Sequence, residues 1–125
     1  MKQIVADNAP AAIGPYSHAI VHNGMVYCSG QIPFDPSTME IPDRTIEAQT
    51  ARVMKNIEAI LNEAGSGMGK IIKTTVFLSS LDDFAGMNTA YEAALSGHKP
   101  ARSTFEVAGL PKGALVEIEC IAAIN

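Results

Sequence analysis

Arg102 and Glu117 are the side chains of this sequence best suited to handling a small anionic molecule. An arginine's planar fork receives a carboxylate through two parallel, charge-assisted hydrogen bonds. A glutamate nearby can take a proton from water, or return one, once its surroundings tune its pKa. Both lie in PARSTFEVAGLPKGALVEIEC, Pro100 to Cys120, where Glu119 follows Glu117 and Thr104 follows Arg102. Residues two apart on a strand stand ~7 Å from one another, so only one of the two glutamates can reach a given ligand. Tyr16 and Ser29 are weaker candidates of the same kind. The plainer account of Arg102 and Glu117 is an ion pair across a hairpin, and spacing alone favours it because such pairs are common.

Other chemistries find less support. His18, His22 and His98 are isolated, read as surface or packing residues, and have no partner at metal-ligand spacing, so no metal site is expected. His18 falls opposite Ser29, but no third member of a triad is identifiable. GSGMG follows a helix instead of opening one, which makes it a turn and not a phosphate loop. Cys28 and Cys120 sit in apolar runs and read as buried thiols of a reducing compartment. With nine Lys+Arg, scattered singly, and a net charge of −4, nucleic acid is not an expected partner. No apolar run approaches the ~20 residues of a membrane helix, and the N-terminal residues lack the apolar centre of a signal peptide. A soluble, cytoplasmic protein is expected.

The elements that must position these residues fit one α+β domain over residues 1–125, in the order β-β-β-α-β-α-β-β. Asn23-Gly24 marks a two-residue hairpin turn in YSHAIVHNGMVYCSG. It sets His22 opposite Met25 and Ile20 opposite Tyr27, with Ala19, Val21, Val26 and Cys28 sharing an apolar face. A short strand at Gln3–Val5 precedes it. Ile46, Thr50, Val53, Ile57, Ile60, Leu61 and Ala64 form the buried stripe of one helix, closed by Gly65. KIIKTTVFLS is a β-branched strand. Phe84, Met87, Tyr91 and Leu95 form the stripe of a second helix, opened by Ser80–Asp83 and closed by Gly97.

The last two strands read as a hairpin. Ser103, Phe105 and Val107, with Val116, Ile118 and Cys120, are expected to meet the helices. Arg102, Thr104 and Glu106 then take the opposite face, with Glu117 across from Thr104 or Arg102. Two helices cover only one sheet face, so the semi-apolar face bearing Ile20, Tyr27, Leu115 and Ile121 implies a homo-oligomer.

The segments APAAIGPYSHA, YCSGQIPFDP, DFAGMNTAYEA and PARSTFEVAGLPKGALVEIECIA resemble, in order along nearly the whole chain, the RidA (YjgF) family of reactive-intermediate deaminases. The resemblance implies a chorismate-mutase-like mixed six-stranded sheet with both helices on one face, and a homotrimer with clefts between subunits. It implies hydrolysis of 2-aminoacrylate, 2-aminocrotonate and their imine tautomers to 2-oxo acids and ammonia, with no cofactor. Arg102 becomes the carboxylate clamp and Glu117 the residue that positions or activates water. Tyr16, Ser29, Gly30 and Thr104 line the pocket, with Gln31 shaping its wall and Asn88 near the cleft. Thr104 stands where many deaminase relatives carry Cys, and the GHKPARS connection is shorter than in many of them. A non-catalytic trimeric binding protein for 2-oxo or amino acids is the rival expectation, and a ribonuclease or translation inhibitor a more distant one.

Overall fold

The computed structural model describes residues 1–125. Six strands form one sheet in the order β1-β2-β3-β6-β4-β5: β1 Lys2–Ile4, β2 Ala19–His22, β3 Met25–Gln31, β4 Ile71–Leu78, β5 Ala101–Glu106 and β6 Val116–Ala123. Helix α1, Ile46–Glu63, joins β3 to β4, and α2, Phe84–Leu95, joins β4 to β5. The element order and α+β architecture are those expected, with β1 one residue earlier.

Local chemistry explains most boundaries. Asn23 (φ 51°) and Gly24 (φ 75°) make the tight turn that pairs His22 with Met25 and Ala19 with Cys28, as the dipeptide predicts. Thr45 opens α1 by accepting a hydrogen bond from the Ala48 N–H at 3.2 Å. Its buried face carries Val53, Ile57, Ile60 and Leu61, and Gly65 leaves it at φ 83°. Ser80 caps the short 3₁₀ turn Leu81–Asp83 that leads into α2. Along β6, Val116, Ile118, Cys120 and Ala122 are all buried under the helices, while Glu117 and Glu119 take the other face.

Two expectations fail. β5 and β6 are not a hairpin: β6 lies between β3 and β4, and β5 runs parallel to β4 at the sheet edge. The AGLPKGA segment is too long for a hairpin turn, and its 3₁₀ turn at Pro111–Gly113 carries the chain past β4. The almost wholly apolar inner face of β6 gains most from the central slot, whereas mixed β5 fits an edge.

The face assignment of β5 is also reversed. Arg102 pairs with Thr74 and Thr104 with Val76, and Thr74 and Val76 are fully buried on the helix side. Ser103 and Phe105 therefore look outward, and Phe105 is 53% exposed. Phe84 likewise leaves the buried stripe of α2 and stands partly exposed, while Met87, Tyr91 and Leu95 are buried as expected.

His18 and His98 serve packing and not the surface. His18 is buried, accepting from the Ala6 N–H at Nδ1 (2.9 Å) and donating from Nε2 to the Pro10 carbonyl (2.7 Å). His98 contacts the Ile71 carbonyl at 2.7 Å. Cys28 and Cys120 are buried cross-strand partners. The adjoining Cys120 thiol, then burial, pushes the Cys28 thiol well above its ordinary pKa.

Candidate active site

The strand order separates the two residues expected to carry the chemistry. Glu117 pairs with Phe77 of β4, and Phe77 pairs on its other side with Phe105. Arg102 pairs with Thr74, one of the buried residues of the opposite face. Arg102 and Glu117 thus occupy opposite faces of the sheet with β4 between them. A cross-hairpin ion pair is excluded, and so is a shared cleft within one chain. Of the residues expected around Glu117, Tyr16, Ser29, Gly30 and Gln31 are there; Arg102 and Thr104 are not.

The glutamate half is a cleft of about 430 Å³. Its wall is shaped by an irregularity in β3. Register with β6 slips between Cys28 and Gln31, so three steps on β3 match two on β6. Such a bulge turns backbone toward a site, here at Ser29 and Gly30. Ser29 Oγ donates to the Ser17 carbonyl at 2.7 Å, which leaves its lone pairs free to accept a hydrogen bond. The Glu117 carboxylate lies against Gly30, in the space a side chain there would fill. Partial burial, and secondarily the neighbouring Glu119 charge, raise the Glu117 pKa above its ordinary value.

That contact yields a prediction. Gly30→Ala adds a methyl where Glu117 Oε2 now lies, and the flexible glutamate must yield. Turnover is expected to fall about tenfold while the melting temperature holds, because a displacement near 1 Å can cost up to ~10²-fold. Steady-state kinetics beside a thermal melt of the variant test this; unchanged kinetics would remove Gly30 from the site.

The arginine half is a groove of about 760 Å³ between α2 and the segment Gly97–Arg102. Arg102 Nη1 donates to Asn88 Oδ1 at 2.7 Å. Its Cζ lies over the Tyr91 ring, 5.0 Å from the centroid, and over the Phe84 ring at 5.5 Å. Phe84, Asn88 and Tyr91 are spaced i, i+4, i+7, one stripe of α2. Periodicity registered Phe84 and Tyr91 only as core, and Asn88 only through the resemblance. Thr104 shares this face, its hydroxyl oxygen buried without a hydrogen-bond partner.

The site and fold together define a small α+β chain with an arginine-lined groove on one sheet face and a glutamate cleft on the other. The family model described as Endoribonuclease L-PSP matches residues 6–124. The 2-iminobutanoate/2-iminopropanoate deaminase of Escherichia coli K12 is 48% identical over 124 residues, 97% of this chain and 96% of that protein. The crystal structure of the E. coli YjgF gene product superposes with a TM-score of 0.95 at 46% identity, covering all of both chains. E. coli TdcF, solved with bound serine, gives a TM-score of 0.94 at 43% identity over 98% of each chain. The chain belongs to the YjgF/RidA family. No helix is long and apolar enough to cross a membrane.

Proposed function

We propose that this protein hydrolyses 2-imino acids and their enamine tautomers to 2-oxo acids and ammonia, at sites shared between subunits of a homotrimer. The observation that carries the reading is the division of labour across the sheet. Each chain offers an arginine clamp and a glutamate cleft that cannot meet, so a complete site needs the clamp of one copy against the cleft of the next. The outward sheet face supports such packing, with Tyr27 46% and Phe105 53% exposed. The E. coli relative's name supports the reaction class.

The chemistry balances without a redox step. Arg102 holds the substrate carboxylate. The Glu117 carboxylate takes a proton from water as the water oxygen bonds to the iminium carbon, giving a carbinolamine. The glutamic acid returns that proton to nitrogen, the C–N bond breaks toward nitrogen, and the hydroxyl proton leaves with ammonia as ammonium. An enamine first takes a proton from solvent on its β-carbon and enters as the iminium. A raised pKa suits a group that must both accept and return a proton.

Added to a threonine dehydratase, the protein is expected to speed release of 2-oxobutanoate beyond the spontaneous rate. No acceleration at any protein concentration would leave the second reading, a binding protein without turnover, which the serine-bound TdcF structure favours. Site sharing has its own test. Arg102→Ala and Glu117→Gln subunits, each inactive alone, are mixed during assembly. About a quarter of the interfaces then join an intact arginine to an intact glutamate, so about a quarter of wild-type activity should return. No recovery in verified mixed oligomers would sink the shared site.

A further inference from the structure

We propose that Tyr91, anchored by Thr74, is a positioning residue that fixes the plane of the Arg102 guanidinium and so the plane in which a carboxylate is received. The inference rests on the reading of Arg102 as the carboxylate clamp.

Thr74 Oγ1 and the Tyr91 hydroxyl are 2.6 Å apart and buried. Thr74 is fully buried at a position between apolar Ile71 and Val76, and it is the β4 partner of Arg102. Each hydroxyl would cost desolvation if left alone, and each is satisfied by the other. Valine and phenylalanine would fill the same space without that demand, so packing does not explain the pair. Its effect is to tie the Tyr91 ring at both ends, through its backbone to α2 and through its hydroxyl to the strand beside Arg102. Burial is the first cause of a raised Tyr91 pKa, which keeps the phenol protonated and available for this bond.

The tied ring lies under the guanidinium, 5.0 Å from Cζ. Asn88 takes one Nη1 hydrogen at 2.7 Å, and the Phe84 ring centroid lies 5.5 Å from the same Cζ. The guanidinium can then neither roll nor swing, and its remaining N–H donors share one plane. A 2-imino acid is conjugated from carboxylate to C=N, so a carboxylate held in that plane carries the C=N with it. The face of the reacting carbon is thereby presented to water before any other contact forms.

The test compares 2-oxobutanoate with its uncharged amide, 2-oxobutanamide, by calorimetry, and needs no turnover. Tyr91→Leu is expected to weaken acid binding about tenfold and amide binding by less than about twofold, the range of a partly desolvated cation–π contact. Tyr91→Phe keeps the ring and should recover most of the loss, staying about threefold short of wild type for want of the anchor. Thr74→Val added to Tyr91→Phe should cost nothing more, since both remove one hydrogen bond. An acid-to-amide ratio in Tyr91→Leu equal to wild type would overturn the positioning role, provided Arg102→Ala collapses that ratio. If Arg102→Ala also leaves it unchanged, the clamp reading falls and the proposal with it. Should Tyr91→Leu not fold, wild-type acid binding by Tyr91→Phe overturns the anchor.

Discussion

Arg102→Ala is expected to lower kcat/KM in the coupled dehydratase assay by about 10²-fold or more, with little change in melting temperature. Each charge-assisted hydrogen bond contributes ~1.5–3 kcal/mol, and a bidentate clamp loses two at once. The deficit should appear in 2-oxobutanoate affinity as well as in turnover, because ground state and transition state both carry the carboxylate. Arg102→Lys should recover little of it. An ammonium keeps the charge but has neither the fork nor the flat surface that lies over Tyr91 and Phe84. Stability is expected to hold because Arg102 is only half-buried at an edge strand. An unchanged kcat/KM would remove the clamp from the mechanism.

Glu117→Gln should separate activity from stability. The amide has nearly the same shape but cannot take a proton from water, so kcat is expected to fall by about 10²–10⁴-fold. The wild-type rate should fall as acid protonates the carboxylate, with a midpoint above the ordinary value of 4.5 because burial, and then Glu119, raise the pKa. Stability responds in the opposite sense. Between the ordinary pKa and the raised one, the native state holds a proton that the unfolded chain has released. The stabilising contribution is therefore present below the ordinary value and lost as pH rises through the raised one. At neutral pH Glu117 is a burden on the fold that glutamine does not carry. The variant should melt above wild type near pH 7, and the gap should close in acid. Calorimetric melts across that range check it; a variant melting below wild type at neutral pH would contradict the assigned cause.

Periodicity was a sound guide where an element had one wet and one dry face. The Asn23-Gly24 turn fixed β2 against β3, the α1 stripe buried as spaced, and alternation on β6 put Val116, Ile118, Cys120 and Ala122 inside. It failed at β5, where Arg102, Thr104 and Glu106 alternate with Ser103 and Phe105. Neither set is plainly apolar, and the single aromatic pulled the assignment the wrong way. An exposed phenylalanine signals the core in a sequence and an outward patch in this structure. Nor does a sequence display strand order. The parallel pairing of β5 with β4 follows from the α2 crossover between them, and the 107–115 connection then carries the chain past β4 to β6. For the site, residue chemistry singled out Arg102 and Glu117 and the resemblance gave them roles, but only the sheet order showed that one chain cannot join them. The i, i+4, i+7 stripe of Phe84, Asn88 and Tyr91 was visible as helix spacing while its target on β5 was not.

The paired thiols at the centre of the sheet have a use of their own. Cys28 and Cys120 face one another under the helices, and Cys28 is held in the protonated, unreactive form. A thiol reagent can reach them only when β3 and β6 part or the helix layer lifts. Labelling kinetics at low reagent concentration would therefore count opening events of the most protected strands, as amide exchange does. If both sulfurs react at one shared rate, the centre of the sheet opens as a unit. If Cys28 reacts first, the bulged strand beside the glutamate cleft is the looser partner. Two residues without a part in the proposed chemistry would then time the motion of the wall that shapes it.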